Sequence, residues 1–369
     1  GICNGRWSSK RMHKQGRNIS GKYHASCSNL KTEVNKMEDK KIVTANSKAV
    51  SANQVAVFFK ENMGIMVALV ILCIFLSIFP GTSGTFPTVK NMLNVLRQIS
   101  TNMLLACGMT MVIILGGIDL SVGSVIALTG VISAGLVSRN GMSIPVALIV
   151  GVVIGVVSGA FNGLVISKTT IPPFIVTLAT MNIARGLAGV YTGGSPVRVV
   201  SKEWQWLGAG YIANIPVPVI IMVIVFILSI LIMNKTKMGR HIYAVGGNPL
   251  AARFSGINVS KVKFFVYAYS GIMASLAGII LASRMYSGQP TAGDGAEMDA
   301  IAAVVVGGTS MSGGSGKLGG TLIGALIIGI LSNGLNLMNV NSFWQTVVKG
   351  VVILLAVFLD YIRTLKKNK

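Results

Sequence analysis

The sequence predicts an all-α fold, a bundle of helices that crosses a membrane many times. Of its 369 residues, 52% are hydrophobic and only 11% are charged, whereas soluble domains carry about a quarter charged residues. Crossing hydrocarbon takes about 20 mostly apolar residues, because a helix satisfies its own backbone hydrogen bonds there. The stretches without Asp, Glu, Lys or Arg are long enough for this: residues 62–89, 98–118, 120–138, 140–167, 204–234, 264–283 and 318–348.

Hydropathy and breaking residues define ten predicted spans along the chain. The eighth is short and is expected to be a half-helix, and Asp119 sets the boundary between the second and third. An eight-span arrangement would keep the same orientation. The ten predicted spans are 62–80, 98–118, 120–138, 144–166, 172–190, 215–233, 264–283, 298–311, 318–337 and 343–360.

The distribution of basic residues predicts the orientation in a bacterial plasma membrane. Lys40 and Lys41 precede the first span and Lys366, Lys367 and Lys369 follow the last, so both termini are expected in the cytoplasm. Counting spans then places Lys168, Lys317 and the loop 235–263 on the same side. The predicted organisation is a basic tail (1–60), a transmembrane domain (61–362) and a C-terminal tail (363–369).

The tail 1–60 lacks helical or strand periodicity and is expected to be disordered. Met37 would be a natural start, so residues 1–36 are expected to be an extension; a native tryptic peptide from before Met37 would contradict this. The net charge of +22 lies in tails and loops between membrane-length segments, which argues against a nucleic-acid binder. The spacing of Cys3, His13, His24 and Cys27 matches no familiar zinc finger, so no metal site is predicted.

An internal similarity indicates an inverted repeat. GVVSGAFNGLVI (155–166) resembles GILSNGLNLM (329–338) if three residues are skipped, and each is followed by an apolar run that contains Phe and Gly. With ten spans, the two units would cross the membrane in opposite senses, as in many transporters.

The basic loop 235–263 contains the pattern of one short capped helix. Asn248 is a good N-cap, Pro249 suits the first helical position, and Gly256 can supply a left-handed stop. A basic loop could simply bind anionic lipid headgroups. That role does not require a capped helix with flanking glycines, so the pattern favours docking to a protein.

GGIDLSVGS, residues 116–124, places Asp119 near the membrane interior, where an ionisable residue is a functional candidate. Ser121 and Ser124 offer hydroxyls to a polyol. The alternative is that Asp119 caps a helix that starts at Leu120. Both interpretations stay open, and they are compatible.

Three acidic residues, Asp294, Glu297 and Asp299, precede the eighth span. Carboxylates suit sugar hydroxyls, but the predicted topology places these residues outside, where docking to a binding protein or helix capping fits better. Asn162 and Asn333 are polar residues on predicted core helices, where they could line a path or bond neighbouring helices.

GGSGKLGG, residues 313–320, does not fit a nucleotide-binding loop. Such a loop needs Gly, four residues and Gly-Lys-Ser/Thr, whereas Met311 stands five positions before Gly316 and Leu318 follows Lys317. A flexible cytoplasmic turn is expected instead. The sequence also contains no credible catalytic set, so no enzyme activity is predicted.

Several of these motifs together resemble the permeases of sugar-type ATP-binding-cassette (ABC) importers, most closely those for ribose. The resemblance rests on GGIDLSVGS, VYTGGSPV (190–197), the loop and helix MGRHIYAVGGNPLAARFSGINVSKVKFFVYAYSGIMASLAGII, and the block 289–340. It covers Val89 to Asp360 in unbroken order and does not extend to residues 1–60.

The resemblance implies a membrane subunit that pairs with a second copy and receives a sugar from an external binding protein. It also implies two cytoplasmic ATPase subunits that hold ATP and Mg²⁺, so this chain needs no cofactor. The coupling helix seated in an ATPase cleft would comprise Gly246, Gly247, Asn248, Pro249, Arg253, Ser255 and Gly256. An ion-coupled sugar carrier or a channel is the alternative, although only Asp119 qualifies as an intramembrane proton relay.

Overall fold

The computed structural model describes residues 62–367, apart from a few side chains after Phe358. The predicted tail 1–60, including Met37 and the Cys and His residues considered for zinc, lies outside the described residues. The helices are α1 Asn62–Ile78, α2 Val89–Ile114, α3 Val122–Ser138, α4 Ile144–Lys168, α5 Pro173–Thr192, α6 Lys202–Ala209, α7 Val217–Lys235, α8 Lys237–Gly247, α9 Pro249–Phe254, α10 Val259–Arg284, α11 Ala296–Val306, α12 Leu318–Leu337 and α13 Ser342–Lys367.

Four two-residue strands complete the secondary structure of this part of the chain. They form two antiparallel pairs, β1 (Val197–Arg198) with β4 (Ser287–Gly288) and β2 (Tyr211–Ile212) with β3 (Ile215–Pro216). The predicted all-α helical fold is therefore confirmed. Each of the ten predicted spans coincides with a helix. Five of these, α4, α5, α7, α10 and α12, are long and apolar enough to cross a membrane, so ten crossings remain a prediction.

Two helices, α2 and α10, begin earlier than predicted because capping overrides charge. α2 begins at Val89 although it carries Lys90 and Arg97, since the Thr88 hydroxyl accepts the N–H of Asn91. In the same way, Asn258 accepts the N–H of Lys261 and starts α10 well before residue 264. α3 begins at Val122 with Ser121 at the N-cap position, so the expectation that Asp119 caps a helix from Leu120 was wrong.

α10 lies at the centre of the bundle and packs against α4, α3 and α2. α4 meets it through glycines four residues apart, Gly151, Gly155, Gly159 and Gly163. A Cβ at Gly155 or Gly159 would collide with backbone atoms of α10. Small residues at this spacing let membrane helices approach closely, and they account for the tightest packing in the bundle.

The packing of helices supports the repeat that the sequence indicates. The helices α2–α5 and α10–α13 can be matched in order, and each contact then has an equivalent. The packing of α10 on α4 matches that of α2 on α12, and the packing of α3 on α5 matches that of α11 on α13. The packing of α10 on α3 matches that of α2 on α11. This matching equates α4 with α12, the helices that carry the similar segments 155–166 and 329–338. Two four-helix units therefore share one packing plan.

α11 is the short helix expected at the eighth span, but it covers residues 296–306 rather than 298–311. At about 1.5 Å per residue its 11 residues span about 16 Å, roughly half of the hydrocarbon thickness. It ends at Gly307, which lies against Gly320 of α12 so closely that a Cβ would collide with its backbone. The predicted half-helix is confirmed.

Candidate functional site

The loop between α7 and α10 contains the predicted short helix, α9, with the predicted caps. The Asn248 carboxamide oxygen accepts the N–H of Ala251 at 3.0 Å, and Pro249 occupies the first helical position. Gly256 has φ +81°, and the N–H groups of Gly256 and Ile257 donate to the carbonyls of Arg253 and Ala252. These two bonds form a Schellman motif, which ends the helix sharply.

The loop holds two helices rather than the single one predicted. α8 precedes α9, and Gly246 and Gly247 form its last residues instead of belonging to the short helix. α8 was not predicted because it contains three glycines, which are poor helix formers, although Thr236 accepts the N–H of Gly239 as an N-cap. α9 directly follows α8, with Asn248 ending one helix and starting the next.

α9 presents an exposed apolar face. Leu250 is 69% and Phe254 90% exposed, and their spacing of four residues places them on the same side of the helix. Arg253 is also exposed, whereas Ala252 is buried against the rest of the protein. α9 is therefore a rigid, capped projection that carries two large apolar side chains and one positive charge.

The end of α8 meets two other glycine-containing segments, backbone against backbone. The N–H of Gly314 donates to the carbonyl of Ile114 at 2.8 Å. A Cβ at Gly246 would collide with that same carbonyl, and one at Gly313 would meet Gly246 and Gly116. We call this contact of Gly116, Gly246, Gly313 and Gly314 the glycine junction. It joins the α8–α9 loop to the end of α2 and to the segment after α11.

Tyr243 of α8 adds a side-chain bond to the same place. Its hydroxyl donates to the carbonyl of Gly316 at 2.8 Å, and burial raises the pKa of Tyr243, which keeps this donor protonated. Residues 313–316, expected to be a flexible turn, are therefore packed against α8 and bonded to it.

The linker between α2 and α3 places Asp119 in the interior of the bundle. Its side chain is 1% exposed, and its Oδ1 accepts the Ser121 N–H at 3.0 Å and the Ser121 hydroxyl at 2.6 Å. Its Oδ2 accepts the hydroxyl of Ser270 from α10 at 2.7 Å. Three donors around a buried carboxylate satisfy most of its hydrogen-bonding capacity.

The hydrogen bonds continue from Ser121 to two further helices. The Asn162 amide of α4 donates to the Ser121 hydroxyl at 3.0 Å, and the Thr180 hydroxyl of α5 donates to Asn162 Oδ1 at 2.5 Å. Ser124 is fully buried nearby, and its hydroxyl donates to the Ser121 carbonyl. We call Asp119, Ser121, Asn162, Thr180 and Ser270 the Asp119 cluster.

Tyr267 lies beside this cluster with its hydroxyl unsatisfied. The residue is fully buried, and its Oη has no hydrogen-bond partner in the described structure. The oxygen lies so close to Gly117 that a Cβ there would collide with it. The Asp119 cluster therefore borders the buried Tyr267 hydroxyl, which has no partner in the described structure. Buried polar groups are rarely left unpaired in this way.

The remaining predicted polar residues have partners outside the Asp119 cluster. Asn333 of α12 forms a reciprocal amide pair with Asn91 of α2, both bonds 3.0 Å. Asp294 is exposed, and Asp299 forms an ion pair of 2.8 Å with Lys349 of α13. Glu297 is nearly buried, and a Cβ at Gly123, at the start of α3, would collide with its carboxylate.

Sequence reasoning missed residues whose partners are distant in the chain. Arg185 of α5 donates from one nitrogen to the carbonyls of Pro290 and Ala292, both at 2.8 Å, and so holds the linker before α11. An arginine inside a predicted span is itself a signal. Lys349, inside the span 343–360, carries the same signal, whereas Ser270 and Tyr243 carry none.

Comparison of the sequence with known proteins finds membrane permeases. Residues 91–357 match the family model described as the permease component of the branched-chain amino acid transport system. The chain is 52% identical over 302 residues to the ribose import permease protein RbsC of Bacillus subtilis, covering 81% of this chain and 92% of that protein. It is 48% identical over 297 residues to RbsC of Escherichia coli K12, covering 79% and 92%.

A more distant relative carries another sugar in its name. The xylose transport system permease protein XylH of Haemophilus influenzae is 34% identical over 361 residues, covering 81% of this chain and 96% of that protein. No solved structure matches the chain. The match of the family model and these identities over most of both chains show that the chain belongs to the permease family of the branched-chain amino acid transport system.

Proposed function

We propose that this chain is the membrane-spanning permease subunit of an ABC importer. We propose that the transported substrate is a monosaccharide, with ribose as the first candidate. Support comes from relatives of about 50% identity that are named ribose import permeases. The xylose-named relative is less similar, at 34% identity, which favours ribose over xylose. The chain itself is a transport subunit rather than an enzyme.

The projection of α9 is the observation that carries the proposal of ATP coupling. Leu250 and Phe254 expose large apolar side chains on a helix whose ends are fixed by Asn248 and Gly256. Such anchors are typical of a helix that binds in a groove on a partner protein. The partner would be a cytoplasmic ABC ATPase that holds ATP and Mg²⁺, and residues 247–256 would contact it.

The glycine junction supplies a route for motion from α9 into the bundle. The coupling role proposed for Gly246 then lies in transmission rather than in direct contact with the ATPase, because it faces Ile114, Gly313 and Gly314. Movement of α8 would displace the end of α2, which leads to Asp119, and the segment after α11.

For the substrate pathway we propose the Asp119 cluster together with Ser124. Asp119, Ser121 and Asn162 offer carboxylate, hydroxyl and amide groups, all of which bind sugar hydroxyls. In the observed conformation they bond one another, so a sugar would have to replace these bonds. Asn333 would contribute through the packing of α12 on α2, because its amide is paired with Asn91.

We further propose an external sugar-binding protein and a second copy of this chain as partners. Asp294, Glu297 and Asp299 were predicted for docking or substrate entry; Asp294 suits docking best because it is exposed. The proposed location is the bacterial inner membrane with both termini cytoplasmic, as the basic residues favour.

Reconstitution tests this function. Proteoliposomes that contain this chain, its candidate ATPase and the sugar-binding protein should take up labelled ribose only when ATP and all three proteins are present. Arg253→Glu on α9 should reduce uptake strongly, and Arg240→Glu on α8 is the matched exposed control. Uptake by this chain alone, driven by an ion gradient, would identify a secondary carrier.

A further inference from the structure

Two arginines lie together at the end of the bundle away from α8 and α9. α10 starts beside α9 and ends at Arg284. α2 runs the other way, because it ends at the glycine junction and carries Arg97 near its start. Both lie beside the same segment: Gly208 of α6 packs against the backbone of Arg284, and Tyr211, close to Gly208 in the chain, lies against Arg97. Two like charges at the end of apolar helices need an explanation.

Neither guanidinium has a carboxylate partner within the described part of the chain. The Nε and Nη2 atoms of Arg97 are buried and have no hydrogen-bond partner there, while its Cζ lies 5.0 Å from the centre of the Tyr211 ring. Arg139, near the same end, makes a similar contact at 5.5 Å with Tyr191 but also donates to the Tyr191 carbonyl. Arg97 therefore differs from Arg139 in its unused donors.

The surroundings of Arg97 are apolar and exposed. Trp206 is 46%, Tyr211 49%, and Ile212 and Ile215 are each 47% exposed. These residues lie on α6 and on the β2–β3 hairpin, next to the arginines, since Gly208 of α6 packs against the backbone of Arg284. Aromatic and apolar side chains around a positive charge are typical of the membrane interface.

We propose that Arg97, Arg284 and Tyr211 form a binding site for the phosphate group of an anionic phospholipid. The phosphate would accept from the two guanidinium groups, with the Arg97 side chain turning towards it so that its unpartnered nitrogens become accessible, and its negative charge would offset the two positive charges. The acyl chains would cover Ile212 and Ile215. An isolated anion would satisfy the charges but would leave the apolar side chains exposed.

The test uses the full chain, stripped of lipid in detergent and titrated with dioleoyl phosphatidylglycerol under native mass spectrometry. We expect one phosphatidylglycerol to bind more tightly than dioleoyl phosphatidylcholine. Arg97→Gln and Arg284→Gln should each weaken this binding about fivefold, the effect of one basic residue near an anionic lipid surface. Arg139→Gln is the matched control and should leave the binding unchanged.

Four results would overturn the lipid site. The first is that the wild type and an Arg97→Gln/Arg284→Gln double variant bind phosphatidylglycerol equally tightly. The second is that the wild type binds both lipids equally tightly. The third is inorganic phosphate stabilising the wild type against heat as well as phosphatidylglycerol does, which would indicate a free-anion site. The fourth is displacement of the lipid by the sugar-binding protein, which would assign the arginines to protein docking. If Arg97→Gln fails to fold, Tyr211→Ala, at an exposed position, should still weaken lipid binding.

Discussion

The linkers before α3 and before α11 occupy equivalent places in the two four-helix units but are held by opposite chemistry. The first is fixed by the buried Asp119 carboxylate, which accepts hydroxyl and amide donors. The second is fixed by the Arg185 guanidinium, which donates to the carbonyls of Pro290 and Ala292. The packing plan is therefore shared, whereas the polar contacts are specific to each unit.

The difference predicts unequal sensitivity to substitution. Asp119 bonds side chains of its own linker and α10, and through Ser121 it reaches α4 and α5, so its loss disturbs several helices at once. Arg185 bonds one stretch of backbone, so its loss should act locally. The two linkers also approach each other where Glu297 lies against Gly123.

The largest effect is expected from Asp119→Ala. Removing an acceptor of three buried hydrogen bonds should lower the free energy of unfolding by about 3 kcal/mol, measured as the thermal midpoint in detergent. Asp119→Asn keeps the shape and one acceptor oxygen and should cost less. Asp294→Ala, at an exposed acid, is the control. An Asp119→Ala protein as stable as wild type would contradict the central role of this carboxylate.

Arg185→Gln should weaken the second linker by about 2 kcal/mol through loss of two hydrogen bonds. Amide hydrogen exchange should accelerate in residues 289–295 while α3 and α4 stay protected. Arg198→Gln, at an exposed arginine of β1, should change nothing. If protection fell equally throughout the bundle, the local role assigned to Arg185 would be wrong.

Gly246→Ala tests whether both linkers respond to the α8–α9 loop. The added Cβ would collide with the Ile114 carbonyl, whereas Gly247 has open space around its missing Cβ. Separating these backbones should lower the free energy of unfolding by about 2 kcal/mol and reduce the amount of sugar transported per ATP hydrolysed. Gly247→Ala is the control and should change neither quantity. Equal coupling in the two variants would remove the glycine junction from the transmission route.

Tyr243→Phe should give the smallest effect, because it removes only the bond to the Gly316 carbonyl. We expect a loss of about 1 kcal/mol and a modest fall in coupled transport at unchanged ATPase binding. Tyr286→Phe, at a half-exposed tyrosine, serves as control. A larger loss than that of Gly246→Ala would reverse the proposed order of contributions.

Local patterns in the sequence predicted most of the fold. The apolar stretches gave ten helices, and Asn248, Pro249 and Gly256 gave the ends of α9, because capping depends on residues a few positions apart. The predicted span began at residue 98, after Arg97, because only charge-free residues were counted, whereas α2 begins at Val89. A charged side chain is tolerated near the end of a helix at an interface. α8 was not predicted because it is short and its three glycines favour a loop.

The site was predictable only in part. Asp119, Ser121 and Asn162 were chosen as rare polar residues in apolar segments, and the structure places them in one cluster. Ser270 and Tyr243 could not be chosen, since their partners lie on segments distant in the chain. Asn333 was chosen by the same signal as Asn162 but pairs with Asn91, because an isolated asparagine does not encode its partner.

The glycines of α4 have a mechanical consequence. Where Gly155 and Gly159 touch α10, backbone meets backbone and only the small side chain of Ser275 intervenes, so the two helices cannot slide past each other in small steps. They should move as one rigid body whenever the bundle changes shape. Such a change must then arise at contacts other than the one between α4 and α10.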